Sequence, residues 1–217
     1  MRFHILAYFH DEKAQKAAES FNLAGRIMTA SESAAILKYK EGDGWDYLHI
    51  NNSNMAGAKS NMFTSSKVIK DTTVNGDGTI TTKLTIEYKN PYPGSDCGLE
   101  SGGLCLNAPL RNWLRVYTPA GSKLTDSKGT ISPKDGEPQS MESYDSLGKT
   151  VFEGFVIINP MGAVKVDLTY TSPVKVEGKY TVLIQKQPGT DGEEYTIKLA
   201  GKERKRFPLA IDTELTL

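Results

Sequence analysis

The sequence predicts a mainly β protein: an antiparallel, immunoglobulin-like β-sandwich preceded by a small α/β segment of strand, helix and strand. Three observations predict it. From Val68 onward, apolar residues alternate with period two in segment after segment, the pattern of strands with one buried and one solvated face. Gly, Pro, Asn and Asp punctuate these segments at sites suited to tight reversals. Ahead of Val68 the period is 3.6 instead, which places the one helical stretch near the N-terminus.

Taken in order, Phe3 to Phe9 is apolar and aromatic enough for a buried strand. Asp11 stands where a helix N-cap belongs, and Ala14, Ala17, Ala18 and Phe21 recur at i, i+3, i+4 and i+7, so a helix follows and stops near Asn22 to Gly25. Thr29-Ala30-Ser31-Glu32 resembles a capping box ahead of a second short helix reaching about Lys38. Glu41 to Gly44 breaks the chain, and Trp45 to Ile50 reads as a short strand.

The alternating strands come next. Ile80, Leu84, Ile86 and Tyr88 share one strand face, Leu114 and Val116 another, and Val164, Val166, Leu168 and Tyr170 a third. Further strands are expected at Val151 to Ile158, Tyr180 to Ile184, Tyr195 to Leu199 and Leu209 to Leu217. Asn75-Gly76-Asp77-Gly78 predicts a hairpin, because these residues tolerate the positive φ of tight turns. Pro188 to Gly192 is expected to do the same between the strands at Tyr180 and Tyr195, and Asp126 to Gly148 reads as a polar, irregular excursion. The change of period divides the chain into an α/β segment, residues 1–66, and the sandwich, residues 67–217.

Composition narrows the function classes. The 217 residues carry Lys+Arg 26 against Asp+Glu 26, so there is no overall charge of the kind that binds nucleic acid. No run of 18 or more apolar residues occurs within the chain, and no secretory h-region develops before His10-Asp11-Glu12. The cysteines point the other way. Cys97 and Cys105 bracket a glycine-rich loop that can fold back, and a disulfide there restricts the unfolded chain by roughly 2–3 kcal/mol in the loop-entropy model. Two free thiols or half of a metal site are the alternatives. If the disulfide forms, the compartment is oxidising, and the export signal is expected upstream of this segment.

Chemistry-bearing motifs are sparse. His4, His10 and His49 form no metal-binding pair, and there is no GxSxG elbow or phosphate-binding glycine loop, so no catalytic residue, metal site or cofactor is assigned. Asp71 to Thr79 departs from a calcium loop, though Asn75 and Asp77 bring acceptor oxygens near Gly78, and reads as a hairpin turn. Lys202, Arg204, Lys205 and Arg206 read as a solvated hairpin loop, with an anionic polymer as the functional alternative. The segment from Ile50 to Phe63 stands out for its asparagines. Its amides can satisfy backbone groups in an irregular passage, with Lys59 paired to an acid, or Asn54, Lys59 and Asn61 can form the polar rim of a carbohydrate or phosphate site.

Several segments together resemble bacterial extracytoplasmic proteins of the domain-of-unknown-function 4012 family. They are Ile5 to Asp11 with the helix through Phe21, the Trp45-Asp46-Tyr47-Leu48 strand, Asn54-x-x-Gly57-x-Lys59-x-Asn61, Leu114 to Gly121, Lys149 to Gly154, and Gln185 to Gly189. The resemblance implies an N-terminal membrane anchor and a LytR-CpsA-Psr-like transferase domain upstream, with residues 1–66 as the tail of that domain. Thr29 to Gly42 and the cysteine loop depart from the family pattern. The central domain's own motif is absent, so no catalytic position carries over. The function expected on this basis is a non-catalytic envelope binding module, with cell-wall glycopolymer or another envelope protein as partner. The alternative is part of an envelope glycopolymer transferase whose catalytic residues lie upstream.

Overall fold

The computed structural model describes residues 9–20, 27–28 and 44–217, and among them are one α-helix and twelve strands. The helix is α1 (Glu12–Ser20), capped as expected: the Ala14 N–H donates to Asp11 Oδ1 at 2.8 Å. The strands are β1 (Gly44–Asn54), β2 (Ser65–Val74), β3 (Ile80–Asn90), β4 (Leu110–Pro119), β5 (Lys123–Lys128) and β6 (Glu142–Ser146). They continue with β7 (Lys149–Ile158), β8 (Gly162–Ser172), β9 (Tyr180–Gln185), β10 (Glu194–Leu199), β11 (Lys202–Pro208) and β12 (Thr213–Thr216). Of the strand expected over Phe3 to Phe9 only Phe9 is described, and it lies outside any strand; the second helix lies outside the described residues.

The mainly β sandwich is present, with two six-stranded sheets ordered β12-β9-β1-β4-β7-β6 and β11-β10-β2-β3-β8-β5. Both are mixed rather than purely antiparallel, because β9 runs parallel to β1 and β10 parallel to β2. This corrects the expected hairpin at Pro188 to Gly192. The connection from β9 to β10 leaves the first sheet and enters the second, and Pro and Gly serve a crossover as readily as a reversal. The expected division at residue 66 also does not separate the layers, since β1 lies between β9 and β4 in the first sheet. The basic run is strand β11 itself, at the sheet edge, and the turn before it is Ala200-Gly201 with φ of 51° and 78°. Asp126 to Gly148 contributes the end of β5, the bridge of Ile131 to Phe155, and β6.

Between the sheets, Leu48, Leu114, Phe152, Val156 and Val182 meet Val68, Leu84, Ile86, Val166 and Ile197. Each such side chain stabilises the fold by about 1.5–3 kcal/mol. The outer face of the second sheet is a solvated ladder, exemplified by Lys165 beside Asp167 at 3.0 Å. The outer face of the first sheet is not solvated in the same way. Tyr47, Tyr117, Val151 and Leu183 form a small cluster there, covered by Ile27 and Met28. Lys149 Nζ donates to the Met28 carbonyl at 2.9 Å and sits 4.4 Å from the Tyr47 ring centroid.

A polar cluster sits inside the sandwich. Asp46 on β1 and Lys70 on β2 have side chains fully out of solvent, and Lys70 Nζ lies 2.7 Å from Asp46 Oδ2. Nζ also donates to Thr72 and Thr82 at 2.8 and 3.1 Å, and the Tyr180 hydroxyl donates to Asp46 Oδ2 at 2.6 Å. Removing one partner leaves a buried, unmatched charge. Relative to the ion-paired protein, Lys70→Met is therefore expected to cost about 3–5 kcal/mol in urea denaturation, and adding Asp46→Leu is expected to recover part of that loss.

His49 is also buried, with Nδ1 3.0 Å from the Gln185 carbonyl. Burial lowers its pKa from 6.5 to about 4. The unfolded chain therefore binds this proton first as pH falls, so the contribution of neutral His49 is complete above pH 6.5 and is lost progressively toward pH 4. Denaturation midpoints are expected to record a loss on the order of 3 kcal/mol across that window in the wild type, and a smaller one in His49→Gln.

Candidate functional site

At the end of the sandwich where β1 finishes and β2 starts, the chain opens a cleft of about 950 Å³. One wall is the β1 to β2 loop. There Asn54 Nδ2 donates to the Ala58 carbonyl at 2.8 Å and to Asn61 Oδ1 at 3.4 Å, while Asn54 Oδ1 accepts the Ala56 N–H at 2.9 Å. Asn54 thus spends its amide on the loop, and presents Lys59 and Asn61, both exposed, to the cleft. The acidic partner expected for Lys59 is not there: its ammonium makes no ion pair among the described residues.

The disulfide fixes this wall from behind. Cys97 and Cys105 are bonded, as expected, and the loop they close lies directly before Leu106 to Ala108. The Lys59 N–H donates to the Leu106 carbonyl at 2.9 Å, and Ser60 Oγ donates to the Ala108 carbonyl at 2.6 Å. Asn107 ties the same loop to the end of β3 through Asn90, whose Nδ2 donates to its Oδ1 at 2.7 Å.

The floor and far wall come from distant segments. Asn52 Oδ1 accepts from Tyr88 at 2.6 Å and from Asn112 Nδ2 at 2.8 Å. Burial raises the Tyr88 pKa, with the charge of Glu193 adding to it, so the phenol stays a donor. Gln187 grips the Asn52 backbone from the crossover between β9 and β10: its Oε1 accepts the N–H at 2.7 Å and its Nε2 donates to the carbonyl at 2.9 Å. That amide continues the β1/β9 ladder after the strand has ended. Lys186 Nζ closes the crossover by donating to the Gln187 and Thr190 carbonyls at 3.1 and 2.7 Å. Asp191 and Glu193 then face the cleft opposite the β1 to β2 loop.

The three residues singled out in the sequence, Asn54, Lys59 and Asn61, are therefore gathered on one cleft. Sequence reasoning missed Asn52 as floor, along with Asn112, Gln187, Asp191 and Glu193. Asn52 belongs to the same asparagine run and carried a usable signal. The others arrive through strand pairing, and Asp191 and Glu193 lay in what read as a simple turn. No cluster of three or more His, Cys, Asp and Glu able to hold a metal occurs among the described residues. No described helix is long and apolar enough to cross a membrane. The cleft presents the exposed Asn61 amide, one cation and two carboxylates on a wall held rigid by the other amides, a set suited to a hydroxyl-bearing ligand.

No protein-family model matches the chain, and no curated protein matches it. Solved structures give distant likenesses. A candidate nutrient binding protein from Legionella pneumophila is 11% identical with a TM-score of 0.41, covering 72% of this chain and 53% of its own. An M1 zinc metallopeptidase from Deinococcus radiodurans is 9% identical with a TM-score of 0.32, covering 71% of this chain and 38% of its own. A candidate protease from Parabacteroides distasonis is 11% identical with a TM-score of 0.29, covering 71% and 40%. The chain thus spans about half the length of the first of these, or less for the others. At such scores no role transfers from them.

Replacing both cysteines by serine is expected to lower stability by roughly 2–3 kcal/mol. Amide exchange at Lys59, Asn107 and Ala108 is expected to speed up more than at Leu84 in the core. Equal acceleration at all four, read by NMR, would separate the disulfide from the cleft wall.

Proposed function

We propose that this chain is a non-catalytic binding module of the bacterial cell envelope, taking a hydroxyl-rich glycopolymer segment in the end cleft. The observation that carries the reading is the convergence of Asn52, Asn54, Asn61, Asn112 and Gln187 with an unpaired Lys59 on one concave surface. Asn54 and Gln187 are committed to the loop and to the Asn52 backbone and so shape the cleft, while the exposed Asn61 side-chain amide offers donors to sugar hydroxyls and Lys59 supplies a contact for an anionic substituent such as phosphate. The extracytoplasmic location is supported by the Cys97–Cys105 disulfide, since such bonds persist in oxidising compartments. Anchoring through sequence upstream, as in domain-of-unknown-function 4012 proteins, belongs to the same proposal and rests on the resemblance alone.

Isothermal titration with soluble, phosphate-bearing cell-wall glycopolymer fragments tests it. Lys59→Ala is expected to weaken binding by about 5- to 30-fold, the scale of one charge-assisted contact, and raising the salt concentration is expected to shrink the difference in affinity between wild type and variant. Undiminished affinity in both Lys59→Ala and Asn61→Ala would remove the cleft from the reading.

A further inference from the structure

The buried cluster between the sheets has the parts of a condensation site. Lys70 Nζ stands 2.7 Å from Asp46 Oδ2, with both side chains wholly excluded from solvent. Two donors already hold the carboxyl group: the Tyr47 backbone N–H on Oδ1 at 2.8 Å and the Tyr180 hydroxyl on Oδ2 at 2.6 Å. Thr72 Oγ1 lies 2.8 Å from Nζ and 3.3 Å from the Tyr180 hydroxyl, which joins amine and phenol by one side chain. An amine, a carboxyl, an oxyanion donor and a proton route to the leaving oxygen thus occupy one dry pocket.

We propose that Lys70 and Asp46 condense to an intramolecular amide that links β1 to β2 covalently. The ammonium first gives a proton to Oδ2, leaving a neutral amine and a neutral acid. The Nζ lone pair then attacks Cγ, and the Nζ–Cγ bond forms while negative charge gathers on Oδ1 against the Tyr47 N–H. A second proton passes from Nζ through Thr72 and Tyr180 to Oδ2, the Cγ–Oδ2 bond breaks, and Oδ2 leaves as water. Nitrogen keeps its last hydrogen as the amide N–H, and Tyr180 ends as it began, so ammonium plus carboxylate becomes amide plus water with no other reactant.

Two effects drive the reaction forward. The fold holds the two groups at contact, and well-oriented intramolecular pairs react with effective molarities of about 10⁵–10⁸ M. The product replaces two buried charges by one neutral, hydrogen-bonding group, which removes their desolvation cost. Exclusion of water from the pocket then protects the amide from hydrolysis.

Intact mass spectrometry of the natively folded protein, reduced to remove the disulfide's effect on mass, is the test. The expected result is a mass lower than that of the sequence by one water. Tryptic digestion is expected to give a branched peptide joining residues 41–59 to residues 68–83, with no cleavage after Lys70. A mass equal to that of the sequence overturns the proposal. So does a one-water deficit found only in linear peptides, where an Asp-Gly step such as Asp77-Gly78 or Asp191-Gly192 has cyclised. Lys70→Arg keeps the charge and is expected to show no branched peptide, and Tyr180→Phe is expected to slow its formation by about 10²-fold, the scale of losing the proton donor to the leaving oxygen. Should either variant fail to fold, the wild-type mass and peptide still decide the matter.

Discussion

An acidic and a basic side chain facing each other across the interior fix how the two sheets meet. Removing Asp46 and Lys70 from water costs several kcal/mol per ion, so the fold is stable only where each finds the other. The side-chain period of a strand is two, and a slip of either strand by one residue would turn one charge to the outer face. The cluster also recruits Thr82 from β3 and Tyr180 from β9, so four strands of both sheets share one set of polar contacts. Apolar contacts supply most of the stabilisation around it, but they are tolerant of small shifts. The polar cluster is not, and it selects one offset of the sheets.

From that pin, β1 carries the constraint to the cleft. Asp46 and Asn52 point to the same inner side of one strand, six residues and roughly 20 Å apart. The ladder to β9 ends at Gln185, and Gln187 extends it by a side-chain clamp on Asn52. Beyond Gln187 the chain must cross to the second sheet, a span of about 10 Å, and the space under that crossover is the cleft. The opening is therefore a consequence of topology. A hairpin in the same place would have kept both strands in one sheet and left no gap to line.

This topology explains what could be seen in the sequence. Strands such as β3 and β8 bury one face and solvate the other, and their alternation is plain. The helix cap at Asp11 and the hairpin at Asn75 were legible because each rests on local chemistry. β1 was read too short and placed outside the sandwich because it is covered on both sides. Tyr47 and His49 on its outer face are as buried as Leu48 and Ile50 on the inner one, and a strand buried twice shows no alternation. β11 failed in the opposite way: an exposed edge strand of charged residues looks like a loop, and charge on an edge also blocks unwanted pairing. Asn54, Lys59 and Asn61 were found because they fall in one asparagine-rich segment. Their neighbours Asn112 and Gln187 come from far along the chain, and only the order of strands brings them close.

The two ends of the sandwich differ in construction. One end is closed by the turns at 75–79, 120–122, 147–148 and 200–201 and by the crossover at 173–179, which join strands with little chain to spare. The other end carries the loops at 55–64 and 91–109, the crossover at 186–193, the disulfide and the cleft. More of the exposed apolar side chains lie on loops of the cleft end, among them Met55, Met62, Tyr92, Leu104, Leu106 and Met161, while Val74 and Leu147 are exposed at the closed end. Long loops cost conformational entropy, and exposed apolar groups gain nothing from folding alone. Here the loops are held by Asn107, Ser60, Gln187 and a disulfide, so the chain invests side-chain and covalent restraints in keeping that end ordered. Restraint concentrated around an open polar cleft suits the proposed binding role, because ordering done during folding need not be done again when a ligand arrives.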